Sequence, residues 1–144
     1  MATTLFWNSR FEMGIPILDE QHKMLFAIYL ELDKLQKEDP ITAKEKIWDV
    51  IQRLQAYIRY HFITEENLLQ KASFQELKKH VQSHELFTRL IKQFTIELSY
   101  NNLLLLDNLV IFIKKWLLSH ILKEDRNYME CVIQYLQAIK NQQK

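Results

Sequence analysis

The chain is short of residues that break helices or cross-link a fold. Its 144 residues include one glycine, two prolines and one cysteine. So few chain breakers favour long helices over an architecture rich in turns, and the lone Cys131 excludes an internal disulfide. A chain without disulfides suits a reducing compartment. Its N-terminus shows neither the basic nor the apolar region of a signal peptide, so we expect a cytoplasmic protein.

An excess of charge and a long apolar run are also missing. The formal net charge is +1, which does not indicate the basic surface of a nucleic-acid-binding protein. The most apolar stretch, Leu103 to Leu122, is interrupted by Asp107, Lys114 and His120, so we expect no membrane insertion. Apolar residues make up 48% of the chain, and its length is enough for one packed domain.

Four stretches carry apolar residues spaced three and four apart, which is the period of an amphipathic helix. The spacing predicts helices from about residue 19 to 36, from 41 to 70, from 73 to the Asn101-Asn102 pair, and from there to about 122. Ser/Thr-x-x-Glu capping patterns occur at 42–45 and 73–76 and predict the starts of the second and third helices.

Four helices joined by short connections must alternate in direction. We therefore predict an all-α fold with one domain over residues 1–144. Residues 19–122 form an antiparallel up-down-up-down four-helix bundle. An N-terminal arm over 1–18 precedes it, and a short C-terminal helix over 126–141 follows it.

The histidines are the informative residues, because all five of them and Glu65 fall on the apolar stripes. A single buried histidine is most simply a core residue with satisfied ring nitrogens. Five of them, spaced for chelation and joined by a carboxylate whose burial is costly, are poorly explained in that way. His80 and His84 are four residues apart on one helix face, as are His61 and Glu65.

Antiparallel connectivity predicts that these groups meet. His61 and Glu65 lie near the end of the second helix, and the third helix carries His80 and His84 near its start. His22 lies near the start of the first helix. The fourth ends close to His120, so all of these residues converge at one end of the bundle.

The ligand types favour iron, manganese or zinc, since imidazole and carboxylate are present without thiolate. Five histidines and at least one carboxylate exceed the needs of one tetrahedral zinc ion, which favours two metal ions with a bridging carboxylate. Asp125 is the candidate for a second bridge. Its five-residue offset from His120 turns it about 140° away on a regular helix, so the helix must bend or end after His120.

Several motifs together resemble the hemerythrin family, in particular its bacterial single-domain members. The resemblance spans most of the chain and is carried by motifs that contain the candidate ligands. These are Asp19-Glu20-Gln21-His22, His61-Phe62-x-x-Glu65-Glu66, His80-x-x-x-His84-x-x-Phe87, and Trp116-Leu117-x-x-His120-Ile121-x-x-x-Asp125-x-x-Tyr128.

The resemblance implies two non-heme iron ions bridged by Glu65, Asp125 and an oxo or hydroxo group. It makes His80, His84 and His120 the terminal ligands of one iron, and His22 and His61 those of the other. The second iron then has an open position for dioxygen. We expect this position to be lined by apolar neighbours of the ligands, namely Leu25, Phe62, Trp116, Leu117 and Ile121.

The leading hypothesis is a non-enzymatic protein that binds dioxygen reversibly for storage, buffering or delivery. An oxygen-consuming enzyme is a candidate recipient. A di-iron enzyme or a sensor that handles peroxide, nitric oxide or iron-sulfur repair is the alternative. The sequence leaves open the oxygen affinity, the autoxidation rate, the physiological partner, the oligomeric state and the role of Cys131.

Overall fold

The computed structural model describes residues 4–98 and 104–143, and in these ranges the secondary structure is helical. A short 3₁₀ helix covers Ser9–Phe11. Helix α1 is Pro16–Leu35, α2 is Pro40–Lys71, α3 is Leu77–Leu98 and α4 is Leu104–Ser119. A π-helical segment, His120–Glu124, leads directly into α5, Asp125–Gln142. The connection predicted at Asn101-Asn102 lies outside the described residues.

Helices α1 to α4 form a ring in which each packs on two neighbours, α1 on α2, α2 on α3, α3 on α4 and α4 on α1. The predicted antiparallel four-helix bundle is confirmed. Aliphatic and aromatic residues from all four helices, such as Leu32, Ile51, Ile91 and Leu109, form its main core. Among the described residues, no helix is both long and apolar enough to cross a membrane.

Two helices begin at other residues than predicted. A proline occupies the first position of each. Helix α1 begins at Pro16 rather than near Asp19, since proline suits the first helical turn, where its missing N–H is not needed. Helix α2 begins at Pro40, and the Asp39 carboxylate caps it by accepting the backbone N–H of Thr42 at 3.0 Å. The predicted cap at Thr42 is therefore wrong.

Ser73 ends a helix rather than starting one. Its φ of 58° lies in the left-handed region. The backbone N–H of Ser73 donates to the Gln70 carbonyl at 3.1 Å, and that of Phe74 donates to the Leu69 carbonyl at 3.0 Å. This pattern closes the C-terminus of an α-helix. The predicted cap of α3 at Ser73 is therefore wrong, and α3 begins at Leu77.

The N-terminal arm and α5 together cover one end of the bundle. Met13, Ile15 and Leu18 pack with Leu69 of α2 and with Tyr128 and Val132 of α5 in a second, smaller core. The Asp19 carboxylate accepts the backbone N–H groups of Met13 and Gly14 at 3.0 and 3.2 Å. Gly14 has a φ of 75°, a conformation that costs a residue with a Cβ. The arm is therefore held against the end of the bundle where α1 starts.

Candidate metal centre

Seven ionisable side chains meet inside the covered end of the bundle. They come from α1, α2, α3, the π-helical segment and α5. Each is at most 6% exposed. They are the seven residues named from the sequence: His22, His61, Glu65, His80, His84, His120 and Asp125. The structure thus brings all of the candidate ligands together, including Asp125.

The two oxygens of Glu65 face different histidines. Oε2 lies 3.1 Å from Nε2 of His61 and 3.9 Å from Nε2 of His22. Oε1 lies 3.1 Å from Nε2 of His84 and 3.6 Å from Nε2 of His120, and it also contacts His80. One carboxylate therefore separates a pair of histidines from a group of three.

Asp125 divides the same histidines in the same way. Its Oδ2 lies 3.0 Å from Nε2 of His22. Its Oδ1 lies 3.1 Å from Nε2 of His120 and 3.4 Å from Nε2 of His80. His22 and His61 form one side of the site, and His80, His84 and His120 form the other, with two carboxylates between them.

The π-helical segment explains how Asp125 reaches this position. The backbone N–H of Asp125 donates to the carbonyl of His120, five residues earlier. A π turn adds one residue to the helical turn, so a five-residue offset returns to the same face. The helix neither breaks nor ends at His120, because α4, the π-helical segment and α5 follow one another without interruption.

Several of the buried ligand atoms approach one another without hydrogen-bond geometry. In the described part of the chain, the buried side-chain atoms without a hydrogen-bond partner include Nε2 of three histidines and three carboxylate oxygens of the site. These atoms belong to His22, His61, Glu65, His120 and Asp125. A buried polar atom left unsatisfied costs about 1–3 kcal/mol. Ligation of shared cations would satisfy them, so the residues fit a metal centre.

The donor set is entirely nitrogen and oxygen. The Cys131 thiol lies elsewhere and donates to the carbonyl of Ala72 at 3.4 Å. Imidazole and carboxylate ligands suit first-row metals such as iron, manganese and zinc. Two groups of ligand atoms, which share Glu65 and His120, are compact enough to surround an ion. This is more than one four-coordinate ion requires.

Three of the histidines have an outer partner on Nδ1. Gln21 Oε1 lies 2.8 Å from His61, and Glu66 Oε2 lies 3.0 Å from His84. Glu124 Oε2 lies 3.4 Å from Nδ1 of His120. Such partners fix the tautomer and the orientation of a ligating imidazole.

The sequence prediction missed these outer partners, because it selected residues by their position on apolar stripes. Gln21 directly precedes His22, Glu66 directly follows Glu65, and Glu124 is four residues after His120. Polar residues adjacent to predicted ligands, or one turn away from them, were the available signal.

Burial and the neighbouring charges have opposing effects on the pKa values of the histidines in the site. Burial lowers the pKa of His61, and neighbouring Glu65 opposes this only in part. Burial also acts to lower the pKa of His80, but the neighbouring carboxylates of Asp125 and Glu65 raise it to about 9. The hydrogen bond with His120 lowers the pKa of Glu124 to about 2. Without metal, the site therefore holds protonated as well as neutral imidazoles.

The apolar residues predicted beside the ligands lie in the core around the site. Leu25, Leu117 and Ile121 are at most 2% exposed. Phe62 stacks on the imidazole of His84, with ring centroids 3.7 Å apart and planes 5° apart. Half-buried Trp116 stacks on His120 at 4.5 Å and 12°. Their role as the lining of an oxygen pocket stays a prediction.

The sequence matches the family model described as "Hemerythrin HHE cation binding domain" over residues 13–132. The chain belongs to the hemerythrin family. The matched range includes every candidate ligand, and it ends within α5. Hemerythrin-type sequence and the buried cluster of histidines and carboxylates therefore coincide in one region.

Three similar proteins show the range of these relatives. A bacteriohemerythrin of Clostridium acetobutylicum is 31% identical over 126 residues, covering 86% of this chain and 98% of the relative. A bacteriohemerythrin of Pseudomonas aeruginosa is 30% identical over 128 residues, covering 89% and 81%. A hemerythrin-like protein of Naegleria gruberi is 32% identical over 132 residues, covering 89% and 97%.

Proposed function

We propose that this chain binds dioxygen reversibly at a pair of non-heme iron ions, for oxygen storage, buffering or delivery. The observation that carries the proposal is that the two oxygens of each buried carboxylate face different histidines. Glu65 and Asp125 each present one oxygen toward His22 and the other toward the His80 and His120 side. Carboxylates in this position suit the bridging of two ions.

In this proposal, His80, His84 and His120 hold one ion, while His22 and His61 hold the other. Glu65 and Asp125 would bridge the two ions together with an oxo or hydroxo group. A pair of ferrous ions would supply the two electrons that reversible dioxygen binding requires. The side with two histidines offers fewer protein ligands and would leave room for dioxygen.

The surrounding residues support binding rather than further chemistry. Leu25, Phe62, Leu117 and Ile121 belong to one apolar core, which would limit the access of water and protons to bound oxygen. Gln21 holds the imidazole of His61 from outside the site. Five neutral histidines and only two carboxylates leave a diferrous centre with net positive charge, which disfavours high oxidation states.

One observation favours an enzymatic or sensory role as a second candidate. The hydroxyl of Tyr128 is buried and has no hydrogen-bond partner among the described residues. Burial raises its pKa well above the usual value, and the negative charges of Asp125 and Glu65 add to the effect. A phenol that keeps its proton beside the centre is a candidate hydrogen-bond donor to peroxide or nitric oxide bound there.

Oxygen cycling separates the two candidates. The protein is loaded with iron without oxygen, and its visible spectrum is recorded while oxygen and argon alternate. A band that appears with oxygen and disappears with argon supports reversible binding. Irreversible oxidation on the first exposure contradicts it and favours the second candidate. Metal analysis that gives one zinc ion per chain excludes the di-iron site.

Matched ligand variants test the two sides of the site. His61→Ala removes a ligand from the two-histidine side, and His84→Ala removes one from the three-histidine side. We expect His61→Ala to retain one ion and to lose the oxygen-dependent band. A His61→Ala protein with two ions and normal oxygen cycling would contradict the assignment. Unchanged helical circular dichroism in both variants controls for folding.

A cytoplasmic location, with an oxygen-consuming enzyme as recipient, completes the proposal. The absence of internal disulfides agrees with a reducing compartment. The recipient is tested by whether oxygenated protein sustains the respiration of washed membranes after free oxygen has been exhausted.

A further inference from the structure

A surface cleft opens onto the metal centre between the start of α3 and the π-helical segment. Its volume is about 180 Å³. Most of the side chains that line it are polar or charged, among them Glu76, Lys79, His80, Ser83, Lys123 and Glu124. The cleft therefore brings water and mobile ions to one edge of the buried cluster.

His80 is the candidate ligand that this cleft reaches. It is 6% exposed, whereas the other six candidate ligands are at most 2% exposed. Its Nε2 contacts Glu65 and lies 3.4 Å from Oδ1 of Asp125. That Asp125 oxygen is buried and has no hydrogen-bond partner among the described residues. Behind one imidazole, the cleft thus leads to an unsatisfied carboxylate.

A second and larger opening, between α2 and α3, reaches a better covered ligand. This groove has a volume of about 850 Å³, and apolar residues such as Phe62 and Phe87 line it together with the charged residues Arg59, Glu66, Glu85, Arg89 and Lys92. Where it meets the site, the ring of Phe62 stacks on the imidazole of His84, which is only 2% exposed. Three of these five charged residues are cations, so this groove suits an entering divalent cation less well than the cleft does.

We propose that the polar cleft is the entrance by which a divalent metal ion reaches the centre. The carboxylates of Glu76 and Glu124 are its first oxygen ligands, and His80 is the first nitrogen ligand. Oxygen ligands can replace the water that a hard divalent cation loses on entry. The proposal rests on the metal centre of the proposed function, but it concerns the rate of loading rather than the use of the loaded protein.

Glu124 is held in place for this role. The hydroxyl of Ser83 donates to its Oε2 at 2.7 Å, which ties α3 to the π-helical segment across the cleft. The Glu124 side chain remains 34% exposed, so a cation in the cleft can reach its carboxylate. Lys79 and Lys123 line the same cleft, and their positive charges oppose the approach of a cation.

Rapid mixing of the metal-free full chain with Co²⁺ tests the entrance without oxygen chemistry. Trp116 stacks on the candidate ligand His120, so bound Co²⁺ should quench tryptophan fluorescence. We expect Glu76→Gln and Glu124→Gln to slow quenching by about three- to tenfold, since charges lining a cleft change association rates by about 10 to 10³ in total. We expect Lys79→Gln to accelerate it.

Equilibrium titration separates entry from affinity. Glu76 is not among the residues that contact the centre, so Glu76→Gln should leave the Co²⁺ dissociation constant within about twofold of the wild-type value. Glu85→Gln is the matched control, because it removes a carboxylate from the groove between α2 and α3 and leaves the cleft and the outer partners of the histidines unchanged.

A wild-type quenching rate in Glu85→Gln, with slow quenching in Glu76→Gln, supports the entrance. Equal rates in the wild type and Glu76→Gln overturn it, as does a Glu85→Gln variant that slows as much as Glu76→Gln. A chain that binds a pair of Co²⁺ ions with unchanged rates loses only this proposal. A chain that binds no pair of ions loses the proposed function as well.

Discussion

The two ends of the bundle bury different types of side chain. At the end where α1 finishes and α2 starts, the buried residues are mostly aliphatic, and they include Leu32, Leu35, Ile47, Ile51 and Leu106. At the opposite end, the same four-helix geometry encloses five histidines and two carboxylates. Both ends are buried, but only one is filled with several imidazoles and carboxylates, which are groups that water normally hydrates.

This difference indicates where the fold obtains its stability. Burial of aliphatic side chains contributes about 25 cal/mol per Å² of apolar area without needing any partner. Buried imidazoles and carboxylates stabilise the structure only when their atoms are satisfied. The aliphatic end should therefore hold the bundle together, and the polar end should depend on bound metal.

Removal of Glu65 should have the largest effect on the polar end. Because its two oxygens face both groups of histidines, we expect Glu65→Ala to bind less than one metal ion per chain. The loss should exceed the roughly 10–100-fold effect typical of removing an outer partner. Glu66→Ala, the adjacent residue, is the control and should keep both ions. Metal analysis after dialysis measures this, and full metal content in Glu65→Ala would refute the bridging role.

Metal removal should affect one end more than the other. At a free metal concentration about 1,000 times the dissociation constant, binding stabilises the folded state by about 4 kcal/mol. After chelation, we expect faster amide hydrogen exchange in the π-helical segment and at the start of α3. Exchange at the start of α2 should change little. Uniform acceleration along the chain would show that the two ends are not independent.

Truncation of a side chain at the aliphatic end should lower the stability of the fold without changing metal binding. Ile51 is 1% exposed, and Ile51→Ala should lower the free energy of unfolding by about 2–5 kcal/mol. The number of bound metal ions should stay the same, since Ile51 precedes His61 by ten residues, or about 15 Å along α2. Urea unfolding and metal analysis of the same sample test both statements. Ile51→Val, which should cost about 0.5–1.5 kcal/mol, provides a graded control.

The helix cap at the aliphatic end should give the smallest effect, and one that depends on pH. Hydrogen bonds from the Thr42 hydroxyl and backbone N–H lower the pKa of Asp39 below its ordinary 3.8. A lowered pKa in the folded state means that the carboxylate stabilises the fold above pH 3.8. This stabilisation is lost as the pH falls through the folded-state value.

Asp39→Ala should therefore reduce the thermal midpoint of the metal-free protein at neutral pH, and the difference from wild type should shrink in acid. Asp39→Asn is the control, because asparagine also caps helices but does not titrate. A difference between Asp39→Ala and wild type that stays constant into strong acid would show that the charged cap does not contribute.

The sequence allowed the fold and most of the site to be predicted for specific reasons. Long apolar stripes without glycine predict helices, and short connections predict their antiparallel order. The histidines on those stripes then had to meet at one end. The helix starts at Pro16 and Pro40 were missed because the periodic pattern does not register which residue forms the cap.

Asp125 and the outer partners show the limit of such reasoning. Regular helical geometry places Asp125 on the wrong face, and only the backbone hydrogen bond to His120 corrects this. A π turn depends on the energy of the whole site rather than on local propensity. Gln21 and Glu124 lie off the apolar stripes, so their contacts with His61 and His120 require coordinates.

The π-helical segment places His120 and Asp125 on one face only because five residues separate them. Substitutions within residues 121–124 keep this spacing. Deletion of one residue would restore an ordinary helix and rotate everything after it by about 100°. Tyr128 and Val132 would then leave the small core that they form with Met13 and Ile15. A single-residue change in length would displace both the contacts of the arm and the carboxylate of Asp125, so this stretch should be more sensitive to a change in length than to most substitutions that keep its length.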